Sequence, residues 1–366
     1  MKKTKVAIVG CGSISEFYLT SLRDLYSDYC VVDALCDIYR PAAEQRAQQF
    51  NIPRVLTLEA LWADPEIEIV LNLTIPSAHC EIICAALESG KHVYTEKPLA
   101  TTMEEAEKIK ATSERTGKTV CCATDVWLGA AGQTALKAIK AGYIGDVFGV
   151  HCVCTHPLHG NEHWHPNPYP FYQKGAAPMN DMGPYYFNFL ISVLGPVKTV
   201  SSVQTMNFPE RVITSMPHKG ETIHVEVPTH VVGTFTFGNG AVGTIINSLD
   251  IWNTRQPHLE IYGTEGTIVM GDPNQFNGEV LISRLSHGDD KWSPLPQLVE
   301  YTDTLRGIGL SDMILALQEG RTPRCSLDIG MHLVEIFSAF DEAAETHTTI
   351  ELKTTCQTPK ARWETA

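Results

Sequence analysis

The chain has 366 residues, 43% of them hydrophobic, and its 28 Lys and Arg against 42 Asp and Glu leave a formal net charge of -14. That length exceeds what one hydrophobic core usually serves, so two domains are expected. So acidic a surface repels phosphate backbones and anionic lipid, which argues against nucleic acid and membrane partners. The 11 cysteines are odd in number, and neither Cys121-Cys122 nor Cys152-x-Cys154 has zinc-ligand spacing. Reduced, buried thiols in a cytoplasmic protein without a metal are expected. The apolar stretch between Met1-Lys2-Lys3 and Gly10-Cys11 is too short for a signal peptide, and no run reaches transmembrane length.

Residues 5–9 read as a short apolar strand that enters Gly10-Cys11-Gly12-Ser13-Ile14-Ser15 and then a helix. Gly10 allows the tight turn, and Gly12 lets backbone approach a pyrophosphate seated at the helix N-terminus, opened by Ser13 and Ile14. Ser15 takes the third place of this fingerprint as a small residue. Asp37 ends the next apolar run, where an acid accepts hydrogen bonds from an adenosine ribose and repels a 2′-phosphate. NAD is therefore expected over NADP, although Arg40 nearby is able to receive such a phosphate. A helix follows from Pro41 to Phe50, then a buried strand from Ile67 to Leu73 and a helix from Ala78 to Glu88 closed by Gly90. The strand His92 to Thr95, a helix Met103 to Thr116 capped near Thr102, and the strand Thr119 to Ala123 complete the series. This alternation indicates a parallel sheet with helices on both faces.

Beyond residue 124 the pattern changes. A helix from Gln133 to Ala141 precedes long β runs at Val147 to Thr155, Val197 to Met206, His230 to Phe237, Ala241 to Leu249 and His258 to Tyr262. Gly238-Asn239-Gly240 joins two of them as a hairpin. Helices near Asp181 to Leu194, Gly307 to Glu319 and Asp328 to Glu345 would cover one face of this sheet. The other face needs cover as well, most simply from another subunit, so a homo-oligomer (dimer or tetramer) is expected. The last ten or so residues look frayed. The expected class is α/β: a dinucleotide-binding Rossmann domain over residues 1–123, and over 124–366 an α+β domain with a large, mostly antiparallel sheet.

Glu96-Lys97-Pro98 directly follows the strand His92 to Thr95. Ligands in such sheets bind at the carboxyl ends of the strands, which would face this tripeptide to the nicotinamide of a bound dinucleotide. Taken with Gly10-Cys11-Gly12, with Thr74-Ile75-Pro76 and His79, and with Gly90-Lys91-His92-Val93, the chain resembles the glucose–fructose oxidoreductase / inositol dehydrogenase (Gfo/Idh/MocA) family. Gly175-Ala176-Ala177-Pro178 and Asp181-x-Gly183-x-Tyr185 resemble that family's second-domain helix motif. The resemblance implies a Rossmann domain followed by an open-sheet domain, hydride transfer to NAD or NADP, and sugar or polyol substrates. It also implies cofactor contacts at Thr74, Pro76, His79, Glu96 and Lys97. Lys97 matches the lysine between nicotinamide ribose and substrate hydroxyl, and Asp181 its acidic partner. Four residues later the family carries His where this chain has Tyr185, which leaves the base open between Lys97 and Tyr185.

Alcohol oxidation requires a base within hydrogen-bond reach of the hydroxyl. Next to an oxidised nicotinamide, like charge favours the neutral form of Lys97. Asp181 and Tyr185 are i,i+4 on a helix and share a face. Tyr185 serves as base only where a cation such as Lys97 lowers its pKa. Between residues 156 and 172 lie His156, His159, His163, Trp164, His165, Tyr169, Phe171 and Tyr172. These read as a substrate loop whose rings stack on sugar C–H faces and whose imidazoles bond hydroxyls, or else as an ordinary loop with surface histidines. His163-x-His165 lacks the carboxylate or thiolate partners of a metal site. Asp125 and Gln133 are further pocket candidates, with a helix-start acid and a solvated amide as the plain alternatives.

Together these expectations describe an NAD-dependent dehydrogenase acting on a secondary hydroxyl of a sugar or glycoside. Trp164-His165-Pro166 and residues 181–186 resemble members that oxidise the 3-hydroxyl of a glucose-type ring. Two alternatives stand beside it: a glycosidase using NAD for transient oxidation and elimination, and a non-catalytic dinucleotide- or sugar-sensing regulator. Lys97 and Asp181 argue against the regulator.

Overall fold

The computed structural model describes residues 3–155, 160–173, 178–287, 291–297 and 306–364. His156, His159 and residues 175–177 lie outside them. Strands and helices alternate from the start: β1 (Thr4–Val9), α1 (Ser13–Asp24), β2 (Cys30–Cys36), α2 (Arg40–Phe50), β3 (Arg54–Val55), α3 (Leu58–Ala63), β4 (Ile69–Asn72), α4 (His79–Glu88), β5 (His92–Thr95), α5 (Met103–Thr116) and β6 (Val120–Cys122). The strands pair in parallel in the order β3-β2-β1-β4-β5-β6. Val6, Ala7 and Ile8 in β1 and Ile69, Val70 and Leu71 in β4 are buried, as strands covered on both faces must be. The direction of winding reverses between β1 and β4, which opens a crevice at their carboxyl ends. Thr57 and Thr102 cap α3 and α5 by accepting the Ala60 and Glu105 N–H groups. The sequence pattern had suggested neither β3 nor α3, which are too short for periodicity to register.

The remaining elements are α6 (Ala130–Lys140), β7 (Val147–Thr155), α7 (Pro178–Leu194), β8 (Val197–Thr205), β9 (Glu210–Val212), β10 (Thr222–His224), β11 (His230–Phe237), β12 (Val242–Ser248), β13 (Leu259–Gly263), β14 (Gly266–Met270), β15 (Val280–Arg284), β16 (Ser293–Pro294), α8 (Ile308–Glu319), α9 (Leu327–Thr346) and β17 (Ile350–Glu351). Nine strands form one sheet in the order β16-β15-β14-β13-β7-β12-β11-β8-β17. Every neighbouring pair is antiparallel except β7 and β12. β9 and β10 pair separately.

Two compact units result: residues 1–128, 303–334 and 362–366 in the first, and 129–302 with 335–361 in the second. A single cut after residue 123 does not describe this division. α8 and the first half of α9 belong to the first unit, which corrects their expected place over the second sheet. Met331 and Val334 join the core of the first unit, and Cys122 N–H donates to the Cys325 carbonyl. In the second unit Phe187 of α7 meets Phe235, Phe337 and Phe340 edge-on. A Cβ at Gly183 would stand 2.8 Å from the Phe337 ring, so glycine there sets how closely α7 packs. Residues 357–364 are held rather than frayed as expected: Ala361 is fully buried and Arg362 donates to the Leu128 carbonyl.

Candidate active site

The glycine turn after β1 has the geometry its residues require. Gly10 has φ +98°, and a Cβ on it would stand 2.6 Å from the Leu73 carbonyl, so only glycine passes there. Gly12 is the N-cap of α1, with open space around its Cβ position and no side chain capping the helix. The Ser13 and Ile14 end of α1 is thereby left to an anionic ligand. Ser15 is fully buried and its Oγ donates to the Gly12 carbonyl at 2.6 Å, which accounts for a polar small residue at the third place. Asp37 accepts the Cys11 N–H at 2.6 Å and the Tyr39 N–H at 2.7 Å, tying the turn to the end of β2. Beyond β4, Asn72 Oδ1 accepts both the N–H and the hydroxyl of Thr74, and Pro76 opens a short 3-10 turn ahead of α4. These residues fit a dinucleotide: a bare helix N-terminus, two glycines where backbone must come close, and an acid at the next strand end.

Lys97 stands at the carboxyl end of β5 in a rigid frame. Glu96 N–H donates to the Asn72 carbonyl at 2.9 Å. Its carboxylate accepts the Tyr18 hydroxyl at 2.8 Å and the Lys97 N–H at 3.1 Å. The His79 ring lies between the Pro98 carbonyl at 2.6 Å and the Thr74 carbonyl at 3.1 Å. Burial pushes the His79 imidazole down in pKa, so it is neutral and donates to one of these carbonyls at a time. His79 and Glu96, expected at the cofactor, stand in the frame of the lysine turn. His79 is fully buried and Glu96 is 9% exposed, so both hold the turn that presents Lys97.

Asp125, expected as a pocket residue or a helix-start acid, takes the place of the latter. Asp125 is fully buried in the first unit, and its Oδ2 accepts the Gly307 and Gly309 N–H groups at 3.2 and 3.0 Å. It caps α8, and burial raises its pKa. Gln133, the other candidate, is buried within α6.

In the second unit Asp181 and Tyr185 lie one turn apart on α7, with Tyr185 6% exposed. Asn247 of β12 donates to the Pro178 carbonyl at 3.0 Å and so fixes the first turn of α7, which carries Asp181. His165 meets Trp164 and Phe171 edge-on at 5.2 and 4.9 Å. Burial lowers the His165 pKa, and the Asp181 carboxylate acts on the same ring in the opposite sense. Trp164 is half exposed. His163 turns away to the Thr214 hydroxyl at 2.8 Å, with Glu162 3.6 Å from its other nitrogen.

The loop bearing these rings is held by a buried ionic cluster that sequence inspection missed. Arg211 of β9 donates to Glu162 at 2.7 Å and also pairs with Asp250, while the Tyr172 hydroxyl bonds Glu162. Tyr172, Ile213, Ile223, Val225 and Leu249 form a small core beside it. No spacing rule links residues 162, 211 and 250. Among the described residues, no three His, Cys, Asp or Glu side chains gather as a metal site, and no helix is long and apolar enough to cross a membrane.

Two family models match the chain: the oxidoreductase family, NAD-binding Rossmann fold, over residues 4–124, and the GFO/IDH/MocA C-terminal domain over residues 133–269. The chain is 26% identical over 316 residues to levoglucosan dehydrogenase of Pseudarthrobacter phenanthrenivorans, covering 77% of this chain and 79% of that protein. It is 31% identical over 155 residues to inositol 2-dehydrogenase of Agrobacterium fabrum, covering 42% of this chain and 46% of that protein. The solved structure of levoglucosan dehydrogenase in its apo form has a TM-score of 0.84 to this one at 22% identity, over 97% of this chain and 100% of that one. At that identity the likeness establishes the fold. With the glycine turn, the crevice between β1 and β4 and the framed Lys97, the two matched domains lead to one conclusion: the chain belongs to the GFO/IDH/MocA oxidoreductase family, and its first domain is an NAD-binding Rossmann fold.

Proposed function

We propose that the protein is an NAD-dependent dehydrogenase that oxidises a secondary hydroxyl of a sugar or polyol, with the 3-hydroxyl of a glucose-type ring or glycoside as its target. The observation that carries this reading is Lys97, fixed at the end of β5 by Glu96 on its own N–H and by His79 on the following carbonyl. The names of two relatives, levoglucosan dehydrogenase and inositol 2-dehydrogenase, support a polyhydroxylated substrate.

Gly10, Gly12, Ser13 and Ile14 hold the pyrophosphate, Asp37 the adenosine ribose, and Thr74 and Pro76 line the crevice. Bound there, NAD would supply the acceptor for the hydride of the substrate carbon. Lys97 would take the hydroxyl proton, and Asp181 and Tyr185 of the second unit would bond the substrate. Trp164 stacks on a C–H face of the ring, and His165 bonds a second hydroxyl.

A screen of sugars, polyols and glycosides with NAD, read by absorbance of the reduced cofactor, tests the proposal. Turnover on at least one of them, lost in Lys97→Ala, is the expected result. Release of free sugar without net reduced cofactor would assign the eliminating glycosidase instead.

A further inference from the structure

Both carboxylate oxygens of Glu96 are engaged, Oε1 by the Tyr18 hydroxyl at 2.8 Å and Oε2 by the Lys97 N–H at 3.1 Å. Tyr18 is fully buried on α1, the helix whose N-terminus is the dinucleotide turn. Ser15, Leu19 and Leu22 share its buried face, where a phenylalanine would satisfy packing equally well. A buried hydroxyl is costly unless bonded, so the reason for tyrosine at this position is its bond to Glu96. One carboxylate therefore ties the helix at the cofactor turn to the backbone of the lysine.

We propose that Tyr18 and Glu96 are a positioning pair that sets the place and charge surroundings of Lys97. The inference rests on Lys97 being the base of the proposed reaction. Both residues of the pair are buried, Tyr18 fully and Glu96 to 9% exposed. The Glu96 charge is felt by Tyr18, Tyr94, Asp125, His79 and Cys122, and the Lys97 charge by His79 and Cys122, while Arg306 acts on Tyr18 and Asp125. Burial drives the Tyr18 hydroxyl well above its usual range, so it stays protonated and donates throughout the working pH range.

Tyr18→Phe removes one hydroxyl and keeps the ring. Its kcat should fall about 10-fold to 100-fold, the scale of a small misplacement of a catalytic group. The NAD dissociation constant, read by fluorescence titration, should change less than about twofold, because the pyrophosphate contacts are untouched. The two variants should also move the kcat–pH profile in opposite directions. Without the Tyr18 donor the Glu96 charge is less dispersed and favours the lysine ammonium, so the ascending limb moves to higher pH. Glu96→Gln removes that charge and moves the same limb to lower pH.

A purely structural role would lower the melting temperature and leave the limb in place in both variants. Unchanged kcat and limb in a folded Tyr18→Phe, or a parallel loss of NAD affinity and kcat, overturns the proposal. Should Tyr18→Phe fail to fold, the limb of Glu96→Gln decides alone: downward supports the pair, unmoved overturns it. Inactive Lys97→Ala beside a normal Tyr18→Phe sinks only this inference, whereas an active Lys97→Ala sinks the assignment of the base itself.

Discussion

In the proposed reaction Lys97 and Tyr185 divide the chemistry of proton removal, and two substitutions tell their shares apart. Loss of a positioned acid or base typically costs about 10²–10⁴ in rate. Lys97→Ala should lower kcat by that order while NAD affinity holds. Tyr185→Phe deletes only a hydroxyl, and a milder loss is expected; abolition as complete as that of the lysine variant would make the tyrosine the base. At the other end of the crevice Asp37 already bonds the Cys11 and Tyr39 amides, and the Arg40 guanidinium is paired with Glu44 at 2.8 Å. That exposed pair is worth only ~0–1 kcal/mol, so the carboxylate governs the choice of cofactor. NAD should bind more tightly than NADP in a fluorescence titration, and equal or tighter NADP binding would reverse this assignment.

Elements, unlike single residues, hold the loop that carries Trp164 and His165. Glu162 and Arg211 are 2% and 4% exposed, and Arg211 bridges Glu162 to Asp250. Arg211→Met leaves two carboxylates buried without their cation, a loss on the order of 3–5 kcal/mol. Denaturant unfolding should show that loss, with KM rising more than kcat falls if the loop binds substrate as proposed. β5 supplies a pH test of stability. His92 Nδ1 accepts the Thr119 N–H, and burial, aided by Lys118, lowers its pKa to about 4. The unfolded chain, with a histidine pKa near ~6.5, binds more protons between these values, so this stability is complete above pH ~6.5 and is lost as pH falls toward 4. Melting temperatures should drop between pH 7 and pH 4.5 and drop less in His92→Gln. Apart from β3 and α3, the helices and strands of residues 4–122 were legible because helix caps and apolar runs are local signals. The ionic cluster was not, since its members meet only through the pairing of β9 and β10 and the fold of the loop.

For the whole molecule, β8, β11 and β12 bury one face and expose the other. Val203, Val232 and Val242 are 69%, 41% and 55% exposed, and Val203 and Val232 are direct cross-strand partners. Apolar side chains at paired positions on an open sheet face favour a second copy as cover, and we propose a homo-oligomer. Sedimentation at micromolar concentration should give a multiple of 40.4 kDa, and Val203→Glu with Val232→Glu should shift it toward that mass. A wild-type protein that sediments only as monomer would refute the proposal.

The sequence by itself determined the dinucleotide turn, the strand–helix alternation, Lys97 at a strand end and the Asp181–Tyr185 spacing. Each is written in residues close along the chain, where backbone geometry alone settles what meets what. Only the tertiary structure decided that α8 returns to the first unit, that Asp125 caps it, and that His79 and Glu96 are buried supports of the lysine turn. Those outcomes depend on contacts between residues far apart in the chain. A carboxylate or imidazole has the same sequence signature whether it faces a ligand or a buried amide, and burial alone separates the two.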